Sequence, residues 1–174
     1  HKPKDGIAFL AEQNLLAHSG RERARSIAYF LKDSPLVDKR LLGDYISRAE
    51  NVDVLAEFID LFDFRECDVA EAMRALCEAF RLPGEAQQIA RVTETFARKY
   101  FSTKPPGIRS EDAVYVLAYS IIMLNTDLHN PQVTRRMSTA DYQRNLRGVN
   151  DGADFDQEYL ASIYDGIRRR EIVM

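Results

Sequence analysis

The 174-residue chain has little that would mark the common chemistries. Its two cysteines, Cys67 and Cys77, are too few for a disulfide framework and stand in no metal-ligand spacing. They are expected to be reduced packing residues, which suits the cytosol. The three histidines, His1, His18 and His129, are scattered. There is no glycine-rich phosphate loop, no zinc pattern and no nucleophile elbow. There is no basic stripe: 24 Lys and Arg face 27 Asp and Glu, a net charge of −3, which argues against a nucleic-acid binder. No signal peptide is evident, and the apolar run from Ala113 to Leu124 is well short of the ~20 residues that a bilayer demands. Strand alternation and fixed-period repeats are also missing. The opening His1-Lys2-Pro3 has no Met, so the chain reads as a domain taken from something longer, with localisation signals elsewhere.

What the chain does have is apolar residues at helical spacing, within a composition that is 45% hydrophobic and so belongs to a globular protein. Ile7, Leu10, Ala11 and Leu15 form one stripe. Ala24, Ile27, Ala28 and Leu31 form the next. Leu41, Leu42, Tyr45 and Ile46 follow Ser34-Pro35, and Leu55, Phe58, Ile59 and Phe62 follow Asn51. Val69, Met73, Leu76 and Phe80 lead to Pro83-Gly84, where proline ends a helix and glycine permits a sharp turn. A helix from about Glu85 to Tyr100 carries Ile89, Val92, Phe96 and Tyr100. Ser138 and Asp141 have capping-box spacing, with Met137 and Tyr142 as a hydrophobic staple around it. A turn at Gly148–Gly152 precedes a last helix with Leu160, Ile163, Tyr164 and Ile167. The short polar connections predict that consecutive helices pack antiparallel. The loop Lys104–Gly107 divides one domain, residues 1–174, into halves of about 1–102 and 108–174.

The stretch Asp112–Asn130 organises the rest. Between Ala113 and Leu124 only Ser120 is strongly polar, so the helix lacks a polar face and is expected to be a buried central rod. Ser110, Glu111 and Asp112 suit its start. Its far end turns polar at Asn125-Thr126-Asp127-Leu128-His129-Asn130-Pro131, a cluster of short groups that could present a surface site. Asp127 with His129 makes an acid–base pair conceivable, with a polar helix end as the plainer reading. Glu85, after Pro83-Gly84, is either a first-turn carboxylate complementing a helix dipole or a single negative charge projected from a stiff bend. Arg168-Arg169-Arg170 are either cations at a helix C-terminus or a contact to an acidic partner or lipid headgroups.

Two of these stretches carry a resemblance. Phe80-Arg81-Leu82-Pro83-Gly84-Glu85-Ala86-Gln87 resembles the first signature of the Sec-seven domain, the exchange module of Arf-family guanine-nucleotide exchange factors. Asn125-Thr126-Asp127-Leu128-His129-Asn130-Pro131 resembles the second, in the right order and about forty residues on. The likeness extends over the whole chain. Asn145–Asn150, Asp154-Phe155 and Glu171–Met174 are most similar to the large Golgi factors of the brefeldin A-resistance-factor type.

The resemblance implies an all-α, right-handed superhelix of about nine to ten helices, with a groove between two halves around the central helix. It implies exchange on an Arf-family small GTPase without covalent chemistry. Glu85 matches the glutamic finger that expels GDP and Mg²⁺. Tyr115, Ile122 and Met123 match apolar groove positions, and Asn130 a polar partner contact. Tyr119, Ser120, Asp127 and Met137 match the residues of brefeldin A-sensitive members. The resemblance implies no cofactor of the chain's own, since GDP, GTP and Mg²⁺ belong to the GTPase, and no nucleic-acid partner. Localisation would be cytoplasmic, peripheral on Golgi membranes through the partner or flanking regions. Ile122 and Met123 can serve a groove only if one face of their helix stays open. Two other readings stay available: a helical scaffold whose groove binds a peptide helix without catalysis, and a hydrolase using Glu85 and His129.

Overall fold

A computed structural model describes residues 2–13, 15 and 20–174; His1 and His18 lie outside the described residues. Among these the chain is all-α: α1 (Pro3–Glu12), α2 (Gly20–Asp33), α3 (Lys39–Ile46), α4 (Val52–Asp60), α5 (Val69–Ala79), α6 (Ala86–Phe101), α7 (Glu111–His129), α8 (Thr139–Asn145) and α9 (Gln157–Arg169). A 3₁₀ turn, Ala49–Asn51, leads into α4, and the only β feature described is an isolated bridge between Asn150 and Ala153. None of the described helices is long and apolar enough to cross a membrane, and no group of three or more metal-ligating side chains is placed to hold an ion among the described residues.

The chain forms two compact units. Residues 1–63, 75–95 and 174 make the first; residues 64–74 and 96–173 make the second, so α5 and α6 each supply residues to both. In the first unit the stripes of α2 and α4 bury Ala28, Leu31, Leu55, Phe58 and Ile59, and Phe58 meets Phe80 edge-on at 6.1 Å between ring centroids. The leucine, isoleucine and phenylalanine side chains contribute about 1.5–3 kcal/mol each on full burial. In the second unit Phe64, Phe96 and Tyr100 make an aromatic cluster, with Tyr100 stacked on Phe96 at 5.7 Å.

The extensive contacts join α2 with α4, α1 with α3, α3 with α4, α7 with α9 and α8 with α9. Alternate helices meet in three of these pairs and consecutive helices in two, α3–α4 and α8–α9, so the expectation that consecutive helices pack on each other holds for those two and is not the general rule among these pairs. A short polar link limits how far the chain travels, but the widest apolar face decides what it packs against. The first stripe is also shorter than its pattern suggests: α1 stops at Glu12, and Leu15 lies beyond it, 66% exposed. Phe62 likewise falls after α4 and is half-buried under the Lys32 ammonium, 4.9 Å from the ring centroid.

The caps follow the sequence. Asp38 accepts the Arg40 and Leu41 amides, holding its carboxyl below the usual range. Ser110 Oγ accepts the Ala113 amide, and Ser138 and Asp141 complete a capping box.

The turn before α6 rests on a glycine other than the expected one. Gly84 does not adopt the left-handed conformation and has open space where a Cβ would point. Gly43 in α3 has none: a Cβ there would lie 1.8 Å from the Arg81 carbonyl oxygen. The Phe80–Leu82 backbone lies flush on α3 because that side chain is missing, and the Arg81 amide donates to the Lys39 carbonyl at 3.0 Å. Gly43→Ala is expected to lower the unfolding free energy by on the order of 1–3 kcal/mol, since overpacking outweighs alanine's better helix propensity. Urea denaturation checks it: an unchanged midpoint would mean that the loop can lift off α3 without loss.

Candidate functional site

Helix α7 is the frame of the second unit's site. Ala113, Val114, Leu117, Ala118, Ile121, Ile122, Leu124 and Asn125 are buried. The rod is not covered all round, however. Tyr115 and Tyr119, one turn apart with ring centroids 6.1 Å from each other, are half-buried, and Met123 in the next turn is 56% exposed. Val116 and Ser120 widen this strip. Opposite them stand Met137, Tyr142, Asn145 and Leu146 of α8 and its approach, enclosing an open cavity of about 420 Å³. Its walls are mainly apolar side chains, with the Ser120 and Tyr142 hydroxyls paired at 2.8 Å as a polar spot.

Tyr115, Tyr119, Ser120, Met123 and Met137 are thus brought together in one cavity. Ile122 is not among them: at 6% exposure it belongs to the core of this unit. Asp127 lies on a neighbouring depression with Arg135, Arg136, Met137, Asp141 and Asn145. Its Oδ2 accepts the Met137 amide at 2.6 Å, and the Tyr164 hydroxyl donates to the Met137 carbonyl, also at 2.6 Å, so both ends of that peptide residue are held against the cavity.

The polar stretch does not begin where the helix ends. Helix α7 continues through His129, so residues 125–129 are its last turns. Most of their polar groups point to specific backbone partners. Asn125, only 3% exposed, pairs with both the amide and the carbonyl of Ile172. His129 Nε2 donates to the Ile167 carbonyl at 2.6 Å, since a carbonyl can only accept. Asn130 Oδ1 accepts the Gln132 amide at 2.9 Å and turns the chain out of the helix. No bond joins Asp127 to His129; each binds a different backbone group, so the acid–base pair is not formed. The role of Asn125 was missed in the sequence because its partner is forty-seven residues away.

In the first unit Glu85 is exposed immediately before α6. One carboxylate oxygen accepts the Gln87 amide at 3.1 Å and the other accepts the Gln88 amide at 2.8 Å. The side chain therefore caps α6 and is held by its dipole. The bend that carries it is tied to α3 by Arg81, while α6 is tied there by the Arg91 guanidinium on the Ser47 carbonyl at 2.6 Å. Sequence reading missed Gly43, which lets the bend lie down; a glycine inside a helical stripe was the available signal. Of the three terminal arginines, Arg168 and Arg169 both pair with Asp165 at 2.8 Å.

Comparison with known proteins places this geometry in a family. A family model described as the Sec7 domain matches residues 1–172. Brefeldin A-inhibited guanine nucleotide-exchange protein 2 of Arabidopsis thaliana is 46% identical over 175 residues, covering 99% of this chain and 10% of that protein. ADP-ribosylation factor guanine nucleotide-exchange factor sec72 of Schizosaccharomyces pombe is 40% identical, covering 100% of the chain and 10% of that protein. The chain thus spans about a tenth of the length of the curated relatives it matches. Among solved structures, a Sec7 domain bound to ARF1-GDP and complexed with brefeldin A superposes with a TM-score of 0.90 at 45% identity, over 99% of this chain and 87% of that one. The Sec7p catalytic domain superposes at 0.88 and 34%, over 98% and 90%. With both halves of the argument agreeing, signatures in the sequence and helices in space, the chain belongs to the Sec7 domain family.

Proposed function

We propose that the chain is the exchange module of a guanine-nucleotide exchange factor for an Arf-family small GTPase, with Glu85 as the acidic group that expels GDP. The observation that carries this reading is the placement of Glu85: one exposed carboxylate, clamped by two amides on a bend that is itself pinned to α3. The names of the relatives and the ARF1-GDP-bound neighbour support the choice of partner. No cofactor of the chain's own takes part. The nucleotide and Mg²⁺ arrive with the GTPase, and attachment of the longer protein to Golgi membranes runs through that partner or through flanking regions.

The chemistry is electrostatic. A GTPase holds GDP with backbone amides, a lysine and Mg²⁺ on the phosphates. A carboxylate brought there repels the β-phosphate, competes for the lysine and disfavours the metal. Two unit charges ~4 Å apart at an effective dielectric of ~20 interact by roughly 4 kcal/mol. At about 1.4 kcal/mol per decade that is on the order of a thousandfold in nucleotide affinity. The open strip Tyr115, Tyr119 and Met123 supplies apolar area for binding the GTPase, while Ile122 backs it from the core. Linkage then requires nucleotide to weaken the exchange factor's hold, so the tight complex is the empty GTPase.

Glu85→Lys is expected to abolish mant-GDP release while still capturing the GTPase. Glu85→Gln separates charge from capping: its side-chain carbonyl still accepts an α6 amide, so the fold holds while release falls by about two orders of magnitude or more. Near-normal release by Glu85→Gln would remove the charge mechanism. Binding without any acceleration by the unaltered chain would make it a scaffold.

Asn130→Ala is expected to lower kcat/KM, and Asn130→Asp, which keeps the acceptor for the Gln132 amide, separates loss of the turn from loss of a partner contact. An unchanged kcat/KM in both would exclude Asn130 from docking.

The cavity between α7 and α8 is of small-molecule size. Tyr119, Ser120 and Met137 line it, and Asp127 fixes Met137 in place. Brefeldin A is therefore expected to inhibit exchange by holding the chain on the GDP-bound GTPase, and exchange unaffected by saturating drug would overturn this.

A further inference from the structure

The second signature contains a side chain that the exchange mechanism does not use. Asn125 sits among buried apolar residues of α7, where an unpaired amide would be costly. Its Oδ1 accepts the Ile172 amide at 2.8 Å and its Nδ2 donates to the Ile172 carbonyl at 2.9 Å. One side chain thus satisfies both backbone groups of one residue, as a neighbouring strand would. From α5, the Arg74 guanidinium reaches the same segment, donating to the Glu171 carbonyl at 3.0 Å and the Arg170 carbonyl at 2.9 Å. The Ile172 side chain is buried at 3% exposure. Residues 170–172 follow α9, to which the Arg170 amide is still bonded through the Gly166 carbonyl at 3.2 Å, and are clasped from two further helices.

We infer that this clasp positions the far end of α7, and that Asn125 is a positioning residue for partner docking. The inference rests on the exchange-factor reading of that end. Met123 precedes Asn125 by two residues, and Asn130, proposed to contact the partner, follows by five. His129 adds a second tie, to Ile167, from the same two turns. Fixing Asn125 on the Ile172 backbone sets both the rotation and the height of these turns. An apolar residue at 125 would fill the space but leave that setting free. The segment after α9 thereby becomes part of how the docking face is held.

The tests are Asn125→Ala, Ile172→Pro, which removes the amide that Asn125 accepts, and Arg74→Lys, which loses the two-pronged geometry. Mant-GDP release is followed over a range of GTPase concentrations. A clasp that only stabilises the fold would reduce the amount of active protein, lowering apparent kcat with KM unchanged. A clasp that positions the docking face raises KM, by about tenfold in the first two variants, with kcat within about twofold of the unaltered chain, because Glu85 and its bend are untouched. An unchanged KM in the variants that fold overturns the inference. Amide hydrogen exchange of residues 126–130 in the isolated chain gives a readout independent of the GTPase: it is expected to quicken in the same variants. If the unaltered chain releases no nucleotide, the exchange-factor reading falls. The clasp is then judged by hydrogen exchange alone, where unaltered rates overturn it.

Discussion

Helix α7 has too little polar surface to face water and too much to do to be wholly enclosed. Twelve consecutive residues without a charge call for cover, and the packing of α9 against α7 supplies it on one side. What remains uncovered is chosen by residue type. Two tyrosines and a methionine, with Val116 beside them, are left at the surface, while Leu117, Leu124, the two isoleucines and the two alanines of the same helix are inside. Tyrosine keeps a polar tip in water while presenting an apolar face, and methionine adapts its shape to whatever it meets. An open strip of that composition loses less by exposure than one of leucine or isoleucine would, and it still gains on burial against a partner.

The residues that make the second signature recognisable are mostly architecture. Asn125 binds Ile172, Asp127 binds Met137, His129 binds Ile167 and Asn130 binds Gln132. Each satisfies a backbone group that lies outside the helical ladder. Such groups must find partners wherever they are shut off from water, and short side chains on the end of a rigid helix supply them with little loss of rotamer freedom. The chemistry of the site and the recognisability of the motif therefore rest on different atoms: the motif fixes the frame, and the frame exposes the apolar strip.

The helices were legible because each carries its own stripe, and a stripe is a local property. The caps at Ser110 and the Ser138–Asp141 box were legible for the same reason. Two things were not. A stripe says which residues are buried but not against which helix, so the pairing of α2 with α4 could not be read from loop lengths. A run of short polar residues says nothing of where their partners lie, so Asn125 looked like part of a surface cluster although Ile172 encloses it. Gly43 shows the same limit from the other side. Its meaning depends on the Arg81 carbonyl oxygen thirty-eight residues later, and no helical pattern carries that information.

The capping role of Glu85 and its proposed catalytic role look like competitors, since a carboxylate that binds two amides is already engaged. The chemistry favours compatibility. The amides of Gln87 and Gln88 are neutral donors, so the carboxylate they hold keeps its full formal charge, and on the proposed reading that charge still opposes a phosphate by roughly 4 kcal/mol. The caps also remove a cost. A glutamate on a free loop would lose rotamer entropy of up to about 2 kcal/mol on being fixed beside a partner, whereas the amides of Gln87 and Gln88 have fixed this one before any partner arrives. The bend beneath it is fixed in turn by the missing side chain of Gly43. Rigidity established in the fold is thus what lets a single exposed charge act at a defined point, and the capping bonds are part of that rigidity.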